Sequence, residues 1–140
     1  EVKRFNPDVI FDDYIQLIVP DSKIEQRRLQ LEKIVHEYKW LAKKSNSAVV
    51  IVSQLNRSLE ARGNPIPRLS DLAESGSIEQ AAENVFFTYY DYKIFKNKSL
   101  ERGYGKEIIE IIAGKVRYGE TGSAKMDFNG DGVKISERYI

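Results

Sequence analysis

The chain contains no cysteine among its 140 residues. That excludes a disulfide framework, a thiolate zinc site and a cysteine nucleophile. Histidine occurs once, at His36, so a histidine metal site has no second ligand and a surface or edge position is expected. Neither sign of charge is in excess. Lys and Arg number 22 against 21 Asp and Glu, for a formal net charge of +1, and bulk charge does not mark a polyanion binder. No apolar run approaches the ~20 residues that span a bilayer, and no basic-then-apolar start resembles a signal peptide. Internal repeats and low-complexity tracts are also lacking. What is present is an ordinary globular mix, 41% hydrophobic and 31% charged, in a chain long enough for one domain with a real core. The expectation is a soluble intracellular, cytoplasmic domain, cut from something larger because Glu1 is not an initiator methionine.

Along the chain, Val9-Ile10-Phe11 follows Asn6-Pro7 and leads through Asp12-Asp13-Tyr14 to Ile15-Gln16-Leu17-Ile18; short apolar runs bounded by turn residues read as buried strands. Residues 22–45 read as a helix. Ser22-Lys23-Ile24-Glu25 forms a capping box. Ile24, Leu31, Ile34, Val35, Tyr38, Leu41 and Ala42 make an apolar stripe, Lys43 and Lys44 suit the last turn, and Asn46 offers a left-handed stop. Ala48-Val49-Val50-Ile51-Val52 is a second strand, of the type buried on both faces of a parallel sheet, so the opening reads as a βαβ unit. Residues 56–76, with Arg57, Arg62 and Arg68 among Gly63, Pro65 and Pro67, read as a long, basic, mobile loop. A short helix follows at 77–83, then a strand at 85–90, a polar surface excursion at 92–106, and strands at 107–113, 124–128 and 133–139. Asn129-Gly130 and Asp131-Gly132 mark a hairpin. The whole reads as α/β, a parallel core with an antiparallel meander at its end, the sheet mixed and mostly parallel with a C-terminal antiparallel hairpin.

Three groups of residues point to chemistry. Asp12 and Asp13 close a hydrophobic strand, where parallel sheets place ligands; a carboxylate there can hold Mg²⁺ directly or through water, or simply solubilise a strand end. Ser53 and Gln54 close the second strand and can reach the same crevice, Gln54 as donor or acceptor to a phosphate or water; either could equally be a loop or cap residue. Lys115 and Arg117 follow Ile111-Ile112-Ala113-Gly114 and alternate onto one side. They could clamp a phosphate or lie on a solvated strand face. Asp127 to Gly132 superficially opens an EF-hand loop, but the position that needs glutamate falls on Arg138, so it reads as a turn. Tyr89, Tyr90, Tyr92 and Tyr104 could stack bases, although strand aromatics more often pack.

Read in order, Asp13-Tyr14-Ile15-Gln16-Leu17, Ser53-Gln54-Leu55-Asn56-Arg57-Ser58-Leu59-Glu60, Glu74-Ser75-Gly76-Ser77-Ile78-Glu79-Gln80-Ala81-Ala82 and Gly114-Lys115-x-Arg117-x-Gly119 resemble the C-terminal motor domain of the bacterial replicative DNA helicases, the DnaB family. The resemblance covers nearly the whole chain. It implies a partial RecA-like P-loop ATPase core from the Walker B strand onward over 1–140, and a homo-hexamer that uses ATP and Mg²⁺ to move along single-stranded DNA and unwind duplex. It implies that Asp13 holds Mg²⁺ through water, that Gln54 beside Ser53 senses the γ-phosphate, and that Lys115 and Arg117 are fingers inserted into a neighbour's nucleotide site. It implies DNA contacts at Glu74, Ser75 and Gly76, with Arg57 and Arg68 as further basic candidates, and primase and a helicase loader as partners.

The chain departs from the family in three places. Ala73 stands where an arginine is common, a contact Arg68 could replace, and Tyr118-Gly119-Glu120 stands where Asn-Gly-Pro is common. No Gly-x-x-x-x-Gly-Lys-Ser/Thr occurs, so the phosphate cradle of a P-loop ATPase is not among these residues. The chain therefore reads as the second half of a motor domain and is expected not to hydrolyse ATP alone. The alternative is a non-enzymatic RecA-like module that binds DNA or a partner subunit.

Overall fold

The computed structural model describes residues 5–19, 24–72 and 76–139. The chain divides into two compact units, one of residues 1–65 and 69–82 and the other of residues 66–68 and 83–140.

In the first unit, β1 (Val9–Asp12) and β2 (Ala48–Ile51) pair in parallel, Val9 opposite Ala48 and Asp12 opposite Ile51. Between them runs α1 (Arg27–Ser45), the crossover that a parallel pair requires. Leu31, Ile34 and Val35 recur at helical spacing and are buried with Ile15; Ile18, Tyr38, Ile51 and Ile78 pack on that cluster. The helix ends as expected. Asn46 adopts a left-handed conformation (φ 54°, ψ 37°), its N–H donates to Ala42, and Lys43 and Lys44 occupy the last turn. Its start differs. It begins at Arg27, with Gln26 as a cap that makes no side-chain bond; Ser22 of the expected capping box lies outside the described residues, and Glu25 precedes the helix. A tertiary anchor sets the start: Arg27 donates to the carbonyls of Gln16 (2.6 Å) and Ile18 (3.0 Å). His36 is exposed on α1.

The strand expected to run on to Ile18 stops at Asp12, and Ile15–Leu17 forms a 3-10 turn. Only one face of this sheet packs on α1. Val9, Phe11, Val50 and Val52 are exposed, where burial on both faces was expected. The basic segment after β2 is folded. It holds 3-10 turns at Arg57–Ala61 and Leu69–Asp71 and a bridge between Leu55 and Leu72. Arg62 reaches buried Asp71 at 2.7 Å. A short helix, α2 (Gly76–Ala81), follows.

The second unit is a four-stranded antiparallel meander: β3 (Asn84–Tyr89), β4 (Ile108–Val116), β5 (Gly122–Asn129) and β6 (Lys134–Ser136). This corrects the expectation of a mostly parallel sheet. Among the described residues one parallel pair stands in its own sheet and the other four strands are antiparallel. Segments 117–121 and 130–133 are too short for a crossover, which makes β4–β5 and β5–β6 antiparallel; the longer 90–107 connection also returns the chain antiparallel, β4 pairing with β3. The expected hairpin is present, and Asn129 Oδ1 accepts from the Asp131 and Gly132 amides. Along β3, Val85, Phe87 and Tyr89 point inward and alternate with exposed Asn84, Phe86 and Thr88, the two-residue period of a half-buried strand. Tyr89, Tyr104 and Ile108 form the core with Ile66 and Ile112. Gly114 is required here, because a Cβ on it would lie 2.5 Å from the Phe87 ring.

The excursion between β3 and β4 is anchored. It holds a short helix, α3 (Asp91–Phe95), and a 3-10 turn at Lys96–Ser99. Asp91 is fully buried and accepts from Tyr89 Oη at 2.7 Å and Arg102 Nε at 2.8 Å. No helix among the described residues is long and apolar enough to cross a membrane.

Candidate nucleotide and nucleic-acid sites

Asp13 and Ser53-Gln54 emerge at the carboxyl ends of β1 and β2, neighbouring parallel strands. Ladder-like bonds continue past both strand ends, from Val52 N to Asp12 O (2.9 Å) and from Ile15 N to Val52 O (3.0 Å), and so fix the two segments side by side. Asp12 and Asp13 diverge. Asp12 is half-buried on the helix side, and Asp13 is exposed. Burial, together with the adjacent Asp12 carboxylate, pushes the Tyr38 hydroxyl up to about 12. The exposed carboxylate, not the half-buried one, is therefore free to meet a ligand. A single hard oxygen donor at a strand end fits Mg²⁺, which is held through one or two carboxylates plus substrate phosphates and not by a full protein cage. No group of three or more His, Cys, Asp or Glu side chains that could hold a metal ion occurs among the described residues.

Gln16 ties the two strand ends together. Its Nε2 donates to Ser53 Oγ at 2.9 Å, and its Oε1 accepts from the Gln54 backbone N–H at 3.3 Å. Its own carbonyl is gripped by Arg27. The Gln54 backbone is thus held while its side chain stays exposed. The sequence around Gln16 carries no local sign of this role, because the contact spans 37 positions.

The other candidates fall in three places. Arg57 is exposed at the start of a 3-10 turn, where the Asn56 side chain accepts from the Ser58 amide at 3.0 Å. Gly76 opens α2 and is exposed, and a Cβ there would meet no atom within 4 Å. Arg68 is exposed within the second unit. Glu74 and Ser75, with Ala73, lie outside the described residues. Of the tyrosines, Tyr89 and Tyr104 are core residues with their rings edge to face at 5.8 Å. Burial first, then the Asp91 carboxylate, pushes the Tyr89 hydroxyl up to about 12. Tyr90 and Tyr92 line an open cleft of about 370 Å³ with Phe128 and Lys106.

In the second unit, Lys115 sits inside β4 opposite Val85, and Arg117 lies one residue beyond the strand. The Arg117 amide donates to Glu83 O at 3.0 Å, and its Nη1 contacts both Glu83 carboxylate oxygens, at 2.7 and 2.5 Å. Glu83 was not singled out from the sequence. Its signal was an acidic residue directly before a strand that pairs with β4.

A family model described as the DnaB-like helicase C-terminal domain matches residues 2–137. The chain belongs to the DnaB-like helicase C-terminal domain family. It is 42% identical over 122 residues to the replicative DNA helicase DnaB of Haemophilus influenzae, covering 87% of this chain and 25% of that protein. It is 38% identical over 122 residues to a probable plasmid replicative DNA helicase of Chlamydia psittaci, with the same coverages. Among solved structures it is similar to one described as an ATPase domain, with TM-score 0.88 and 32% identity over 99% of this chain and 48% of that one. A DnaB-like replicative helicase, described with its interactions with primase, gives TM-score 0.83 and 30% identity over 99% of this chain and 33% of that one. The chain therefore spans about a quarter of the length of the curated DnaB relatives it matches. These solved relatives support the RecA-like, broadly α/β character of the fold.

Proposed function

We propose that the chain is the part of a ring-forming, ATP-driven DNA helicase that supplies a metal-holding carboxylate, a γ-phosphate sensor and a trans-acting finger. The observation that carries this reading is the pairing of exposed Asp13 with Gln54 at adjacent strand ends, braced by Gln16. Asp13 would hold Mg²⁺, which when bound neutralises phosphate charge. Gln54 hydrogen-bonds the γ-phosphate or the attacking water. Its backbone leads directly into the folded 55–72 segment, so nucleotide state is passed to residues that meet DNA. Lys115 and Arg117 act on the nucleotide of a neighbouring subunit and stabilise charge that builds as the γ-phosphoryl group passes to water. The phosphate cradle comes from residues outside these 140, and the chain alone does not turn over ATP. Arg57 and Arg68 would each bind single-stranded DNA through phosphate and Gly76 through its main chain, and the family resemblance adds Glu74 and Ser75 as DNA-binding residues. A cytoplasmic homo-hexamer with primase and a loader as partners completes the reading, supported by the bacterial replicative relatives and by the solved helicase described with primase.

The test is Arg117→Ala in the complete polypeptide. Mg²⁺-dependent hydrolysis should fall by about 10³-fold or more while nucleotide binding is kept. Equal loss of binding would make Arg117 a ground-state ligand and not a finger.

A further inference from the structure

Glu83 and Arg117 are placed together by strand register. β3 and β4 pair from Asn84 opposite Val116, so the residues just outside that pair meet, and the Arg117 amide adds one more rung to Glu83 O at 3.0 Å. The side chains then engage in an asymmetric way. Both oxygens of Glu83 contact a single nitrogen of Arg117, Nη1. Nε and Nη2 hydrogen-bond to none of the described residues, and about half of the side chain is open to solvent.

This is not the fork-to-fork pairing that arginine and carboxylate usually make. A fork would occupy two donors and blunt the guanidinium. Here one donor is held, the guanidinium carbon lies 5.6 Å from the centre of the Tyr118 ring, and the other donors make no hydrogen bond to the described residues. An exposed ion pair contributes little net stability, so the contact is poorly explained as a support for the fold. It does restrict a long side chain with several rotatable bonds. Holding a reacting group in place before the reaction is what lowers an orientation barrier.

We propose that Glu83 is a positioning residue that holds Arg117 by one nitrogen and presents the rest of its guanidinium to a phosphoryl group. The proposal rests on the reading of Arg117 as a finger. The proposal gives Glu83 its effect on the reaction through Arg117, so its removal slows the chemical step and leaves ground-state nucleotide binding unchanged.

The test uses the complete polypeptide assembled as a ring, with single-turnover ATP hydrolysis and nucleotide affinity measured for Glu83→Ala, Glu83→Gln, Arg117→Ala and the Glu83→Ala/Arg117→Ala double variant. Glu83→Ala should lower the hydrolysis rate about tenfold with affinity unchanged. Glu83→Gln preserves the length and one acceptor oxygen, so it should recover part of the rate. In the Arg117→Ala background, Glu83→Ala should have no further effect. A wild-type or faster rate in Glu83→Ala overturns the proposal, since Glu83 would then be idle or a competitor. A full additional loss in the double variant also overturns it, because Glu83 would act elsewhere. If Arg117→Ala itself hydrolyses normally, the finger reading falls and the positioning role falls with it. A slow Arg117→Ala beside a normal Glu83→Ala refutes the positioning role alone.

Discussion

Replacing Asp91 with Asn removes a charge from a fully buried site that closes the excursion following β3, the strand that begins beside Glu83. Burial opposes the charge on Asp91, but Ser99, Arg102 and Tyr89 outweigh it and hold the carboxyl below the usual carboxylate range. Breaking a buried pair by removing one partner costs about 3–5 kcal/mol. The Arg102 side chain remains 33% exposed, so water relieves part of the loss and a cost of about 2–3 kcal/mol is expected for Asp91→Asn. With a urea slope of about 1–3 kcal/mol/M, the midpoint should fall by about 1–2 M. The sign with pH follows from the lowered carboxyl. Its contribution is complete above the unfolded carboxylate range near pH 4 and is lost as pH falls through the lower folded value. Wild type and Asp91→Asn should therefore differ at neutral pH and converge in strong acid. Tyrosine near-UV dichroism reports mainly the second unit, which holds six of the eight tyrosines, while fluorescence of the single tryptophan, Trp40 on α1, reports the first. The tyrosine transition should move further than that of Trp40. Equal midpoints at pH 7, or a difference that persists unchanged in acid, would refute the reasoning.

Gln16→Leu removes both bonds that brace Ser53 and Gln54; at about 1 kcal/mol each, hydrolysis by the complete protein should slow by up to about thirtyfold with nucleotide affinity kept, and an unchanged rate would show that the brace is idle. Arg57→Ala should reduce the salt slope of single-stranded DNA binding by about one unit on a log–log plot; an unchanged slope would remove Arg57 from the DNA-facing set.

Features set by local chemistry were legible in the sequence. Asn46 and the two lysines before it predicted the end of α1, the apolar and aromatic run at 85–90 predicted the strand β3, and Asn129-Gly130 predicted the last hairpin. The departures trace to contacts across distance. α1 starts at Arg27 because that side chain grips two carbonyls far back in the chain, which no capping signature encodes. The apolar run of β2 marked a parallel strand and the closing strands marked an antiparallel meander, but nothing local in the sequence shows that among the described residues the meander stands in a sheet of its own. The candidate site followed the same division. Asp13, Gln54 and Arg117 stand in recognisable motifs, whereas Gln16 and Glu83 gain their roles only from partners 37 and 34 positions away.

Mixing two inactive forms decides whether Asp13 and Arg117 serve nucleotide sites shared between subunits. Asp13→Asn and Arg117→Ala forms of the complete polypeptide would be purified separately, each inactive, then combined in equal amounts and reassembled. Independent sites completed in trans predict that about a quarter of wild-type hydrolysis returns, because that share of interfaces pairs an intact Asp13 with a neighbour's intact Arg117. A mixture that forms rings yet stays as silent as its parents would contradict the account.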